Sequence, residues 1–97
     1  MNDQIVLGDV EPAQAFWTCN GVVIRNIFEL ANYLSGCNEY SFKYHVNEDH
    51  HKNDFAIWVR ESVRDTTLAN ALDSTVDKET YLRTIEERLR ELTIQKT

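Results

Sequence analysis

Apolar residues repeat at helical spacing through most of this chain, and each repeat follows a residue type that caps helices. The first stripe consists of Ile27, Leu30, Ala31 and Leu34, and Asn26 comes directly before it. Side chains spaced three and four apart share one face of an α-helix, and a preceding Asn, Asp, Ser or Thr accepts hydrogen bonds from free amides of the first turn. This pattern predicts a mainly α-helical chain.

The same pattern recurs and predicts four to five short helices. In chain order they are a helix from Ile27 to Gly36 capped by Asn26, one from Glu39 to Val46 capped by Asn38, one capped by Asp54 and closed at Asp65, a short one through Leu72 capped by Thr66 or Thr67, and an amphipathic last helix capped by Asp77. Residues 47–53 are polar and are predicted to form a loop.

A β-hairpin is predicted before the first helix, over residues 13–25. Two β-prone runs flank Asn20-Gly21 there, and this dipeptide suits the two positive φ angles of a two-residue type I′ turn. An isolated hairpin is only marginally stable in water, so one of its faces must lie on the helices. Either Phe16 with Val23 or Trp17 with Ile24 would supply that face.

The length of 97 residues favours one hydrophobic core, because two cores would need more apolar surface than the chain has. We therefore expect a single domain over residues 13–97. Residues 1–12 show neither helical nor strand periodicity, and Pro12 disfavours helix at the residue before it. They are predicted to be a flexible lead-in.

Charge and cysteine content narrow the partners and the compartment. The chain has 16 acidic and 10 basic residues and a net charge of -6, which disfavours nucleic acid as a partner. No apolar run is long enough to span a bilayer and no signal sequence is recognised, so we expect no membrane association and a cytoplasmic location. Cys19 and Cys37 are expected to be reduced core residues.

The segment from His45 to Asp54 holds all three histidines of the chain. His45, His50, His51 and Asp54, with Glu48 nearby, are ligand types that suit zinc, manganese or iron. Their spacing matches no known metal motif. The other interpretation is that His45 packs on an apolar helix face while the residues after it form a solvated loop.

Catalysis and cofactor binding are not expected. A nucleophile needs a base within hydrogen-bond reach, and nothing in the sequence places Cys19 or Cys37 beside His45. No glycine-rich loop is present to hold a phosphate.

The aromatic residues divide into two predicted groups. The spacing of one group predicts core positions, namely Phe16, Trp17, Phe28, Phe42, Phe55 and Trp58. The tyrosines are amphipathic and are predicted to reach the surface, where they would form a patch for a protein partner; they are Tyr33, Tyr40, Tyr44 and Tyr81.

A set of residues after Pro12 resembles a family of small, uncharacterised prokaryotic domains. The resemblance rests on Phe16 and Gly21 of the hairpin, the His45-Val46 pair, and the block Asn53-Asp54-Phe55-Ala-Ile-Trp58-Val59. It implies a compact unit of hairpin and helices and brings no activity with it. In structural terms Asp54 would cap a helix, Asn53 would form a turn, Trp58 would anchor the core, and His45 would hydrogen-bond across to that turn.

The sequence therefore predicts a non-enzymatic accessory or protein-interaction domain without a cofactor. Its partner would be another protein or a second copy of the chain. The alternative is a metal-binding or metal-sensing module that uses His45, His50, His51 and Asp54.

Overall fold

Helices make up most of the chain in the computed structural model, which describes residues 5–47 and 51–94. Within those residues the α-helices are α1 (Ile27–Gly36), α2 (Glu39–His45), α3 (Asp54–Trp58), α4 (Thr66–Asp73) and α5 (Lys78–Ile94), and a short 3-10 helix spans Pro12–Gln14. Strands β1 (Phe16–Trp17) and β2 (Val23–Ile24) form an N-terminal antiparallel pair. This confirms the predicted fold of short helices packed against an N-terminal hairpin.

Three of the predicted helix caps are confirmed. The side chains of Asn26, Asn38 and Asp77 accept the backbone N–H groups of Glu29, Ser41 and Thr80 at 2.8, 2.8 and 2.9 Å. Each side chain satisfies an amide that has no partner inside its own helix.

Two other caps lie one residue earlier than predicted. Asn53, not Asp54, caps α3, and Asp65, not Thr66 or Thr67, caps α4. Tertiary partners decide both cases: the Asp54 carboxylate faces His45, while the buried Asp65 carboxylate accepts Leu68 N–H at 3.1 Å and also the Arg88 guanidinium at 2.8 Å.

The helix predicted from Asp54 to Asp65 is not one regular α-helix. After Trp58 the chain continues as a π-helix over Val59–Val63, and Arg64 then closes it in the left-handed region, with φ 68° and ψ 33°. A π-helix is wider than an α-helix and often marks a functional site.

The hairpin differs from the prediction in both turn and register. Gly21 N–H donates to Thr18 O and Thr18 N–H donates to Val22 O, and among the loop residues only Gly21 has a positive φ, 84°. This is a three-residue loop with glycine at the left-handed position, not a two-residue type I′ turn. Phe16 consequently pairs with Ile24 and Trp17 with Val23, and Phe16 and Ile24 supply the face on the core.

The segment predicted as a polar loop begins and ends in a second strand pair. Strand β3 (Val46–Asn47) is antiparallel to β4 (Lys52–Asn53), so the helix predicted to reach Val46 ends at His45. Residues 48–50 of the predicted loop lie outside the described residues.

The core lies where α1, α4 and α5 meet α3 and the hairpin. Its fully buried side chains include Leu30, Leu34, Phe42, Phe55, Leu72, Tyr81 and Ile85. The predicted lead-in contacts this core from Ile5 to Val10, and Val10 N–H donates to Arg25 O at 2.8 Å. No helix of the described residues is long and apolar enough to cross a membrane.

Several side chains differ from the prediction in whether they are buried or exposed. Trp17 and Phe28 are exposed instead of buried, whereas Tyr33 and Tyr81 are buried instead of exposed. Cys19 is exposed at the hairpin tip and Cys37 is half-buried. The burial of Tyr33 and Tyr81 is not predicted because helical spacing shows which residues face the same way but not what covers them.

Candidate functional site

His45, the last residue of α2, is buried and hydrogen-bonded at both ring nitrogens. Its Nε2 accepts the backbone N–H of Cys19 at 3.0 Å, and its Nδ1 lies 3.0 Å from Asp54 Oδ2. Because Nε2 accepts, we assign the ring proton to Nδ1, which donates to the carboxylate. The sequence predicts a hydrogen bond from His45 to the turn at Asn53, and the bond observed goes to the adjacent Asp54, the first residue of α3.

Aromatic rings surround the imidazole. The ring centroids of Phe16 and Phe55 each lie 5.1 Å from that of His45, and that of Tyr44 lies 5.0 Å away. His45 thereby connects the hairpin loop, α2 and the start of α3. Rings and hydrogen bonds together fix its orientation.

Asp54 is the first residue of α3, where the helix dipole favours a negative charge. Its side chain is about one-third exposed, and Lys52 Nζ lies 3.6 Å from Oδ2. Lys52 also donates to Tyr44 O at 2.8 Å and lies 4.7 Å from the centre of the Tyr44 ring. The carboxylate is therefore held between a buried imidazole and a half-exposed ammonium.

A groove opens over His45 and Asp54, with a volume of about 380 Å³. We call it the Trp17 groove; it is lined by Phe16, Trp17, His45, Asp54, Ile57, Trp58, Glu61 and Ser62. Strand β1 forms one wall, and α3 with the π-helix forms the other. Two large apolar side chains stand exposed on these walls, Trp17 at 68% and Ile57 at 53%.

Trp58 holds the two walls together from below. Its indole Nε1–H donates to Gln14 O at 2.6 Å, and its ring lies edge-on to Phe16 with centroids 6.1 Å apart. The ring itself is buried, as the sequence predicts for a core anchor.

Asn53 joins three elements on the far side of Asp54. Its Oδ1 accepts Ala56 N–H at 3.3 Å and Tyr81 O–H at 2.6 Å, and its Nδ2 donates to Leu72 O at 2.8 Å. Asn53 thus caps α3 and ties it to α4 and α5. This accounts structurally for the Asn-Asp-Phe part of the sequence block.

The structure brings together only part of the predicted metal set. His45 and Asp54 are in contact, but His51 is exposed at φ 53° and lines a different cavity, with Asn47, Lys52, Asn53 and Asp73. His50 and Glu48 lie outside the described residues. Among residues 5–47 and 51–94, no group of three or more His, Cys, Asp and Glu side chains is placed to hold a metal ion.

Cys19, His45 and Asp54 are the residue types of a nucleophile–histidine–acid triad, and their geometry decides what they do. A base in such a triad takes the proton of the nucleophile through Nε2. Here that nitrogen accepts the Cys19 backbone N–H instead, so its lone pair is not available to the thiol. The arrangement positions the hairpin loop and exposes one carboxylate.

A second cavity, of about 490 Å³, lies between the hairpin loop and α1. Tyr33 and Cys37 line it, and the Tyr33 O–H donates to Asn20 Oδ1 at 2.8 Å. Burial raises the pKa of both Tyr33 and Cys37. Both groups are therefore neutral at physiological pH, and the Cys37 thiol is a weak nucleophile.

The exposure of Trp17 and Ile57 in the groove is not among the predictions from the sequence. Two signals point to them. In a strand alternate residues face opposite sides, so Phe16 on the core places Trp17 on the outside. Ile57 is an apolar residue off the helical stripe that contains Phe55, Trp58 and Val59.

Fold and site together define a small helical domain with a groove between a hairpin strand and a π-helix. A family of unknown function, DUF5752, matches residues 20–96, and the chain belongs to this family. No curated protein and no solved structure was found to match the chain.

Proposed function

We propose that this protein is a non-enzymatic protein-interaction domain that binds a partner polypeptide in the Trp17 groove. The observation that carries the proposal is the pair of large apolar side chains, Trp17 and Ile57, exposed on facing walls of one concave surface. Exposing such groups to water costs free energy that a partner recovers by covering them.

The composition of the groove is that of a binding hot spot. Tryptophan contributes more binding free energy per residue than almost any other side chain, and it does so best when polar groups surround it. Asp54, Glu61 and Ser62 supply that polar rim. The π-helix supports the same assignment, because it places Glu61 and Ser62 on the groove.

A cytoplasmic location is part of the proposal. Cys19 and Cys37 are both free thiols, and Cys19 is exposed. Exposed thiols persist in the reducing environment of the cytoplasm and are oxidised outside it.

The test begins with a displayed library of random linear peptides, selected against the immobilised full chain. The affinity of each enriched peptide is then measured by calorimetry for the wild type, for Trp17→Ala and for Phe28→Ala. Phe28 is the matched control, because it is an aromatic residue that is 45% exposed and lies outside the groove.

We expect Trp17→Ala to raise the Kd about 30-fold, as loss of a hot-spot residue does. We expect Phe28→Ala to change it by less than about twofold, the scale of surface substitutions away from the interface. Failure to enrich any peptide, or equal losses from both substitutions, would overturn the proposal. So would a dimer in sedimentation that dissociates with Trp17→Ala, because the occupant would then be a second copy.

A further inference from the structure

The hydrogen-bond pattern of the hairpin fixes where the backbone of Trp17 points. Thr18 N–H donates to Val22 O at 2.9 Å, and hydrogen-bonded pairs alternate with unbonded ones along an antiparallel pair. Phe16 and Ile24 therefore form a bonded pair, and Trp17 and Val23 an unbonded one. The N–H and C=O groups of Trp17 consequently point away from β2.

On the other side of the hairpin, the residue that follows β2 is bonded. Arg25 O accepts Val10 N–H at 2.8 Å, and Arg25 N–H donates to Glu29 Oε1 at 2.8 Å. The N-terminal segment and α1 thus hold the end of β2.

Side chains form hydrogen bonds with backbone groups that precede and follow Trp17 in the chain. They form none with the backbone groups of Trp17 itself in the described part of the chain. His45 Nε2 accepts the N–H of Cys19, and Trp58 Nε1 donates to the C=O of Gln14. In the described part of the chain, Trp17 and Val23 form an unbonded pair, and no turn, loop or cap bond involves the N–H or C=O of Trp17. One unpaired backbone position thus remains at the rim of the Trp17 groove.

We propose that the partner is an extended segment that adds as a third strand to the open edge of β1. This inference rests on the proposed function and specifies the form of the partner. One residue of the segment pairs its backbone N–H and C=O with those of Trp17. Side chains next to it enter the groove against Ile57 and Trp58, as in other cases of strand addition.

Charge favours a segment with a basic residue beside its apolar anchor. The groove carries Asp54 and Glu61. Asp54 is already paired with Lys52 and His45, whereas Glu61 forms no ion pair with any described residue. The chain as a whole has a net charge of -6, which attracts a basic segment and repels a second copy.

The experiment uses the tightest peptide from the library selection and a set of its singly N-methylated forms. N-methylation removes one backbone donor and leaves the side chains unchanged. We expect one position at which methylation raises the Kd about tenfold or more, since the paired N–H is lost and the methyl group blocks close approach. We also expect the peptide to slow hydrogen exchange of the Trp17 amide about tenfold.

Charge is tested with Glu61→Lys, and Glu87→Lys on the exposed surface of α5 is the control. The first substitution should weaken binding of a basic peptide about threefold or more at low salt, and the second should leave it unchanged.

The outcomes separate this inference from the proposed function. A peptide that depends on Trp17 but tolerates N-methylation at every position and leaves the Trp17 amide unprotected would overturn strand addition alone. Enriched peptides that are acidic, or unaffected by Glu61→Lys, would overturn the basic character of the segment. Absence of any bound peptide would instead refute the proposed function.

Discussion

Replacing Asn53 by Ala removes a side chain that is hydrogen-bonded to residues of three helices, α3, α4 and α5. The cap of α3 is lost, which costs about 1 kcal/mol in comparable proteins. Tyr81 O–H loses its acceptor, and a buried polar group left unsatisfied costs about 1 to 3 kcal/mol. Leu72 C=O loses the Asn53 amide but keeps the N–H of Thr75. We expect the free energy of unfolding to fall by about 2 to 4 kcal/mol, a large part of what a domain of this size has.

The contact between Asn53 and Tyr81 is isolated by combining Asn53→Ala with Tyr81→Phe. In the wild type, Tyr81→Phe costs about 0.5 to 1.5 kcal/mol, because Asn53 Oδ1 keeps its bond to Ala56 N–H. In the Asn53→Ala background the same change removes an unsatisfied buried hydroxyl, so it should restore about 1 to 3 kcal/mol. The effect of Tyr81→Phe thus reverses sign between the two backgrounds.

Urea unfolding followed by circular dichroism and tryptophan fluorescence measures all four chains, with Tyr40→Phe as the control. Tyr40 is 74% exposed, so its hydroxyl should matter by less than about 0.5 kcal/mol. Equal costs of Tyr81→Phe in both backgrounds would show that Asn53 and Tyr81 contribute independently. The reasoning from the hydrogen-bond geometry would then be wrong.

Three further predictions concern other parts of the chain. Arg64→Gly should raise the free energy of unfolding in urea by about 0.5 to 1 kcal/mol, because Arg64 holds a left-handed backbone at φ 68°; an unchanged or lower value would contradict this. Burial raises the pKa of Tyr81 and Tyr33. The free energy of unfolding should therefore be unaffected by these groups below about pH 10, where phenols in the unfolded chain ionise, and should fall as the pH rises above it. In the Tyr81→Phe variant the free energy of unfolding should fall less steeply. Zinc or manganese titration should give no saturable imidazole NMR shift at His45, since both its nitrogens are hydrogen-bonded; a chelator-reversible shift there would favour the metal alternative.

Local signals in the sequence predict most of the secondary structure. Asn26, Asn38 and Asp77 cap helices as expected, because capping involves only residues within one turn. The caps of α3 and α4 are displaced by one residue, since Asp54 and Asp65 each have a partner that lies far away along the chain. Short-range rules do not contain that information.

The candidate site is harder to predict than the fold, because it depends on which surfaces remain uncovered. Phe28 and Leu30 both lie on α1, yet one is 45% exposed and the other 0%. The sequence predicts His45 bound to the turn before α3. It does not predict the Cys19 N–H on its other nitrogen, which depends on a three-residue hairpin loop.

The family match covers one wall of the Trp17 groove and not the other. His45, Asp54, Ile57 and Trp58 lie within residues 20–96, whereas strand β1 precedes them. His45 accepts the backbone N–H of Cys19, and Trp58 donates to the backbone C=O of Gln14. These two backbone groups lie on either side of β1 in the chain. The helical part thus holds the strand in place through main-chain atoms, which any residue supplies. Such an attachment sets the position of β1 without using its outward side chain, Trp17, which under the proposed function contacts the partner.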